Sequence, residues 1–489
     1  MKQRGSEYME KYKSNHLILK DVSLIDCNTD HVQKNMTISI RNGIIEKIIK
    51  EGELETFEDT KVITLTGKTV IPGLIDSHVH LFQSGVDDFM KPYAEKLIKK
   101  FKRNCWLTIR SGVTTVRNMP GGRGYKIFKY KEKVNKGEII GPRILASGPA
   151  ISVPYSYFSI LAYLPFNSFV RFFIERLFRI RGLSIDVNNE REAKEVVRRL
   201  KREGVDFIKT ITPGSNYPYA EDENMKLELL TKGLKNEHLE ASMQPRILRA
   251  ISEEANKLDL KVACHNIYGT EGFSEAVKAG VDSIEHSPMG LLSEEIFNLM
   301  KEKEVYWVPT AHAIYNWKNI IDNPDIYETE EMKELVPEPF HSFGKKCLQK
   351  VRDDIENGGF WSKFHNDVEI FKHEYFPVNI SKAIEKGVKI VAGVDCGAGG
   401  AGYIPHGQLH KELELYVVNG MGEFDALQTA TKNAAELLGK IDELGTIEEG
   451  KVGDIVVLDS DPLKNICNLK RINLVIKEGN IVFNKKEPF

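Results

Sequence analysis

Residues 70–81 read VIPGLIDSHVHL, an apolar run that turns polar at Asp76, Ser77, His78 and His80. Short runs of this kind, rich in branched apolar residues and ending in polar ones, read as buried strands. At a strand's period of two, His78 and His80 leave the same side of the chain, so two imidazoles can reach one point in space. The same texture returns seven times downstream, in GVTTVRNM (112–119), GPRILASG (141–148), GVDFIKTI (204–211), KVACHN (261–266), DSIEHS (282–287), VYWVPT (305–310) and VKIVAGVD (388–395). Between these runs lie segments with helical apolar spacing, among them REAKEVVRRLKREG (191–204), PRILRAISEEANKLD (245–259) and GTEGFSEAVKAG (269–280). Eight strands alternating with helices is the count of an α/β protein of the TIM-barrel type, (β/α)8, in which functional groups gather at the C-terminal ends of the strands. A doubly wound open sheet alternates similarly, but no glycine-rich phosphate fingerprint follows the first strand.

Outside this middle region the texture is β only. HLILKDVSLID (16–26), NMTISIRNGIIEKII (35–49) and TKVITLTGKTV (60–70) precede it, and GTIEEGKVGDIVVLDSDP (445–462) and INLVIKEGNIVFN (472–484) follow it, broken by Asn-Gly and Gly-Lys turns. Small isolated β units are marginal in water, so both ends are expected to build one small β-sandwich domain. The expected division is residues 16–70 and 439–489 for that domain and 71–438 for the barrel.

The chain of 489 residues is 41% hydrophobic and 28% charged, the balance of a soluble globular protein. Its 68 basic and 70 acidic side chains leave a net charge of −2, so no general field favours nucleic acid. Six cysteines are scattered without a CxxC pair, and the charged first fifteen residues do not read as a secretory signal; a reduced, cytoplasmic protein is expected. Two stretches depart from the barrel pattern. Residues 151–182, ISVPYSYFSILAYLPFNSFVRFFIERLFRIRG, carry an uncharged run of nearly membrane-spanning length, but Pro154, Pro165, Asn167 and four serines argue against a span. The reading is a lid or a subunit contact in a homo-oligomer, with an interfacial membrane-touching helix as the weaker alternative. Residues 314–375 are too long for a barrel loop and read as a helical excursion over the pocket mouth.

The candidate chemistry sits where strands end. His265 ends KVACH, His286 ends DSIEH and Asp395 ends KIVAGVD, which with His78 and His80 makes five potential metal ligands at strand ends of one barrel. Lys209, in VDFIKTI, is the sixth group. Beside divalent ions an ammonium is repelled toward its neutral form, and a neutral lysine reacts with carbon dioxide to a carbamate whose two oxygens can bridge two metals. A lysine reaching solvent or an acidic partner satisfies the same spacing. Cys264 and Cys396 each adjoin a proposed ligand and so face the other side of the strand, as small core residues.

Five blocks together carry a specific resemblance: VIPGLIDSHVHL, the lysine of DFIKT, CHNIYGTEGFSEAVKAGVDSIEHS (264–287), the GVD of strand eight, and TKNAAELLGKIDELGTIEEGKVGDIVVLDSDP (431–462). Over about residues 16–485, apart from the two odd stretches, the chain resembles the metal-dependent amidohydrolase superfamily. It is most similar to the imidazolonepropionase-like branch that includes Xaa-Pro dipeptidases with a carboxylated lysine. The resemblance implies two divalent ions, expected to be zinc. His78 and His80 would hold the more buried ion, a carboxylated Lys209 would bridge, His265 and His286 would hold the second ion, and Asp395 would bind the first and handle protons. Tyr268 matches a tyrosine placed near the substrate in these peptidases; aromatic packing at the mouth is its alternative. After SGPAIS such relatives often carry a Gly-Gly-His stretch, where this chain has VPYSYFSILAY, which points to a bulkier and more lipophilic substrate.

The expected activity is hydrolysis of an amide or peptide-like bond in a small molecule of the dipeptide or N-acyl amino acid type, by a hydroxide shared between the metals, with Asp395 as proton shuttle. Three rivals stand beside it. A one-metal cyclic-amide hydrolase or deaminase shares the barrel and the HxH motif but, in that branch, does without the strand-four lysine. A lactone or organophosphate hydrolase could use the same dinuclear site. A catalytically inactive structural relative would not be expected to keep all six candidate ligands.

Overall fold

The computed structural model describes residues 15–50, 54, 56–57, 59–83, 97–120, 124–154, 184–212, 243–266, 269–336, 338, 340–397 and 404–487. The protein is α/β, with several sheets. Its strands are β1 (His16–Leu24), β2 (Gln33–Arg41), β3 (Ile44–Ile49), β4 (Thr60–Thr64), β5 (Thr69–Pro72), β6 (Leu74–Val79), β7 (Val113–Asn118), β8 (Arg143–Ala146) and β9 (Ala150–Ser152). They continue with β10 (Ser184–Asp186), β11 (Phe207–Ile211), β12 (Lys261–His265), β13 (Ser283–Glu285), β14 (Tyr306–Val308), β15 (Ile455–Leu458), β16 (Ile472–Lys477) and β17 (Asn480–Asn484).

Both ends of the chain share one sheet, in the order β17-β16-β15-β5-β1-β2-β3, with β4 also pairing to β1. β5 is the hinge of this arrangement: it lies parallel to the end of β1 and antiparallel to β15, matching Pro72 to Ile455. Alternate residues of these strands, such as Leu17, Leu19, Ile38, Ile40, Val457, Leu474 and Ile476, form a separate apolar core. Alternation of this kind is what a sheet with one covered face requires.

The middle of the chain is parallel. β6-β7-β8, β9-β10 and β11-β12-β13-β14 form three parallel sheets, and β6, β7 and β11 are buried along their whole length. Strands buried on both faces must be apolar throughout, so a charged residue inside one needs a partner. Residues 389–396 run between β14 and β6. On one side Trp307 N–H donates to the Lys389 carbonyl and Val391 N–H to the Trp307 carbonyl, both at 2.9 Å. On the other, Ser77 N–H donates to Ala392 O (3.0 Å), Asp395 N–H to His78 O (2.8 Å) and His80 N–H to Cys396 O (2.8 Å).

The helices between the strands form for local reasons. Helix Glu190–Arg202 is capped by Asn189, whose side chain accepts the Glu192 N–H at 3.0 Å. It carries acids in its first turn and bases in its last, and buries Ala193, Val197 and Leu200 in the main apolar core. Helices Thr270–Ala279 and Phe376–Lys386 end at Gly280 (φ 76°) and Gly387 (φ 70°), left-handed positions that glycine fills without strain. The excursion expected over residues 314–375 is helical, running through Ala311–Asp322, Phe340–Glu356, Phe360–Ile370 and a π-turn at Phe371–Tyr375. Of the apolar stretch 151–182, residues 155–182 lie outside the described residues. Among the described residues no helix is long and apolar enough to cross a membrane.

One ion-pair cluster ties the terminal sheet to the parallel strands. Arg143, the first residue of β8, donates to Asp454 at 2.6 Å, Thr115 at 3.0 Å and Glu478 at 2.7 Å. Asp454 is buried, so losing its partner leaves a desolvated charge. Arg143→Met is therefore expected to destabilise the fold by about 1–3 kcal/mol. A urea unfolding midpoint equal to that of the parent protein would show that the tie contributes nothing.

Candidate active site

The site is assembled at the C-terminal ends of β6, β12 and β13, at the centre of β11 and in residues 389–396. Within it the Nε2 atoms of His80 and His78 point at one oxygen, Asp395 Oδ1, at 3.0 and 3.4 Å. Among the described residues, His78, His80 and Asp395 are the set whose donor atoms all fall within 4.8 Å of one another, close enough to hold one metal ion. The His286 ring lies 4.7 Å from that of His78 and 4.5 Å from that of His265, so all four predicted histidines are contiguous. Lys209 is 1% exposed, and its Nζ has no hydrogen-bond partner among the described residues. Tyr268 lies outside the described residues.

The backbone that presents these groups is itself constrained. His286 and Asp395 have left-handed φ angles of 72° and 59°, which L-residues seldom adopt away from turns and functional sites. His286 is held there by three contacts. Its N–H donates to Val308 O at 2.8 Å, its carbonyl accepts the Trp307 indole N–H at 3.0 Å, and its Nδ1 meets the Thr310 hydroxyl at 2.7 Å. Thr310, also left-handed at φ 47°, precedes helix Ala311–Asp322 but does not cap it with its side chain. Glu412 does so instead, accepting the N–H groups of Ala311 at 2.8 Å and His312 at 2.6 Å. Gly393 explains the close approach of residues 389–396 to β6: a Cβ there would lie 2.9 Å from His78 Cβ.

The inner nitrogens of the histidines are also engaged. His80 Nδ1 lies 2.7 Å from the Pro120 carbonyl and His78 Nδ1 lies 2.8 Å from Glu285 Oε2. Imidazoles tied at Nδ1 and open at Nε2 toward a shared carboxylate are the arrangement metal-binding histidines use. Burial, aided by the Lys209 charge, holds His78 and His265 well below the usual histidine range, and burial with the neighbouring rings does the same to His286. Burial pulls Lys209 down to about 8, Arg117 adding to that and Glu285 opposing it. Neutral imidazoles and an amine that gives up its proton readily are the forms that ligate a cation, so the donor set fits a metal site.

Sequence reasoning missed the layer beneath. Glu285, Arg117, Thr310 and Glu412 are all buried, and the first two lie near the C-terminal ends of strands that are buried along their whole length, Glu285 closing β13 and Arg117 next to last in β7. That was a readable signal for Glu285 and Arg117, since a charge in a doubly buried strand must have a partner. Thr310 and Glu412 gave none. Cys264 and Cys396 pack into the apolar core, as the strand period predicts.

Comparison with known proteins agrees with this geometry. Residues 69–482 match the amidohydrolase family. The chain belongs to that family. It is 27% identical over 447 residues to an ochratoxinase of Aspergillus niger, covering 88% of this chain and 79% of that protein. An imidazolonepropionase of Clostridium tetani is 22% identical over 94% of this chain and 93% of its own. Among solved structures, a Xaa-Pro dipeptidase with methionine in its active site superposes with a TM-score of 0.69 at 27% identity, over 95% of this chain and 99% of the other. The protein is accordingly a hydrolase of C–N bonds in amide-type substrates, in a family that depends on metal.

The buried histidines carry a pH dependence in the metal-free protein. Their folded pKa values lie below the unfolded value of 6.5, so above that pH neither state is protonated and stability is full. Below it the unfolded chain takes up protons that the folded chain refuses, and stability falls as pH falls, by about 1.4 kcal/mol per pH unit for each histidine. His286→Asn, in which asparagine tolerates the left-handed backbone, is expected to reduce that slope by about one proton between pH 6 and 5. Unfolding free energies with the same slope in variant and parent would contradict it.

Proposed function

We propose that the protein is a two-metal amide hydrolase acting on small N-acyl amino acids or dipeptides. In this reading β6, β7, β8, β11, β12, β13, β14 and residues 389–396 are the eight strands of one (β/α)8 barrel over residues 71–438, and residues 16–70 and 439–489 form the β-sandwich domain. The observation that carries the proposal is the convergence of His78 and His80 Nε2 on Asp395 Oδ1 beside the buried Lys209 amine, which has no hydrogen-bond partner among the described residues.

His78, His80 and Asp395 would hold one ion, His265 and His286 a second, and Lys209, carboxylated on Nζ, would bridge them. Bound there, the ions, expected to be zinc, would supply Lewis acidity toward water and the scissile carbonyl. The chain's own part is acid–base chemistry and positioning. The Asp395 side chain is 14% exposed, against 2% for that of His78, although Oδ1, the oxygen facing the two histidines, is itself buried. It is the group able to accept a proton from the attacking water and return it to the leaving nitrogen, which must be protonated because an amide anion departs poorly. Tyr268 is assigned to the substrate's carboxylate or oxyanion. The ochratoxinase and Xaa-Pro dipeptidase relatives support the substrate class.

Elemental analysis of the purified protein is expected to find two divalent ions per chain, and Lys209→Ala to lower that content. Asp395→Asn keeps size and one oxygen but cannot take the proton. It is expected to retain metal and lose about 10²–10⁴-fold in kcat on the best substrate from a panel of N-acyl amino acids and dipeptides. One tightly bound ion after supplementation, or a kcat unchanged in Asp395→Asn, would overturn the two-metal reading or the proton role respectively. Activity confined to lactones or phosphotriesters would overturn the substrate class.

A further inference from the structure

Beneath His78 lies a hydrogen-bond chain that the hydrolytic reading does not use. Glu285 and Arg117 are 0% and 1% exposed. Arg117 Nη2 donates to Glu285 Oε1 at 2.7 Å, and the Ser283 hydroxyl donates to the same oxygen at 2.6 Å. Arg117 is anchored twice more, by Nη1 to Ser283 Oγ at 2.9 Å and by Nε to the Ser77 carbonyl at 2.7 Å, and its guanidinium lies 5.4 Å from the Phe207 ring. The second carboxylate oxygen, Oε2, is left for His78 Nδ1 at 2.8 Å. The chain of contacts thus joins β7 to β13 and β6, although β13 is hydrogen-bonded in sheet fashion to neither of the other two.

The direction of every bond here is forced. A guanidinium has only donors and a carboxylate only acceptors, so Glu285 must receive from both sides. His78 therefore carries its proton on Nδ1 and its lone pair on Nε2, the nitrogen aimed at Asp395 3.4 Å away. A buried ion pair is weak evidence for stability, because a well-packed apolar pair often does as well. A pair that dictates a tautomer has a reason to be there.

We infer that Arg117 and Glu285 are positioning residues that lock His78 in the Nδ1–H tautomer, leaving Nε2 free as a donor to a metal. This rests on the assignment of His78 as a ligand above. Arg117 is essential to the lock because it decides which way a side chain at 285 faces. In Glu285→Gln the amide oxygen stays on Arg117 and Ser283, so the amide NH2 takes the place of Oε2 and donates to His78 Nδ1. The proton on His78 then moves to Nε2 and blocks that nitrogen. In the double variant Glu285→Gln/Arg117→Gln no donor-only group remains, because the Ser283 hydroxyl and the new amide at position 117 can each accept as well as donate, and the amide at 285 can turn its oxygen back to His78.

The test is zinc affinity by chelator competition together with histidine 15N spectra of the metal-free protein, the His78 signal being assigned by its loss in His78→Asn. Glu285→Gln is expected to switch His78 from Nδ1–H to Nε2–H and to weaken zinc binding about 10–100-fold. The double variant is expected to regain part of that loss, whereas a merely structural pair would lose more. An unchanged tautomer with parental affinity in Glu285→Gln, or a double variant no better than the single, would overturn the inference. If Glu285→Gln does not fold, the metal-free parent still decides, since an Nε2–H tautomer at His78 there is incompatible with the lock. Parental zinc affinity in His78→Asn would instead remove the ligand assignment itself. A loss in His78→Asn without one in Glu285→Gln would remove the inference alone.

Discussion

The backbone hydrogen bonds of residues 389–396, to β14 on one side and β6 on the other, make a single site out of distant parts of the chain. They place Asp395 against His78 and His80, and everything else at the site is positioned relative to that contact. The approach is close enough that only glycine fits at position 393. It also commits Asp395 to a left-handed backbone, a local strain that the ladder on both sides over-determines. The candidate site and the joining of β6 to β14 therefore depend on the same few hydrogen bonds.

Around this contact the protein uses two separate supports. His78 is governed from below by Glu285 and Arg117, which lie in the dry interior between strands. His286 is governed from the side by Thr310, whose hydroxyl is spared from helix capping because Glu412 performs it. Burial pushes the Glu412 carboxyl up to about 7, against the pull of the two N–H groups it receives. The two supports differ in kind: one acts through a fixed charge pair, the other through a helix N-terminus.

Much of this was legible in the sequence because it depends on periodicity. Two histidines two residues apart in a strand must share a face, and polar residues ending apolar runs must gather where parallel strands end. His265, His286, Lys209 and Asp395 became candidates by that rule, and the structure brings the histidines and Asp395 together with Lys209 buried nearby. Both chain ends sharing one sheet also followed from their common texture. Partnerships across the interior did not follow, since nothing local says that Arg117 on β7 will meet Glu285 on β13. Glu412 was hidden for another reason: in HKELELY it reads as one more charge on an amphipathic helix, and only the packing of that helix against residues 311–312 reveals its task.

The placement of β5 bears on how the protein is made. Its outer neighbour, β15, pairs Ile455 with Pro72, so a central strand of the terminal sheet waits for a partner that lies beyond the whole parallel region. At typical ribosomal speeds of about 5–20 residues per second, that interval is roughly 20–80 s. Throughout it the nascent chain carries an apolar strand edge with half its ladder unfilled, directly joined through Gly73 to β6, the strand that bears His78. Such edges recruit other chains when left open. The yield of soluble protein from a cell should accordingly depend on translation rate, temperature and chaperone supply more than on anything in the active site.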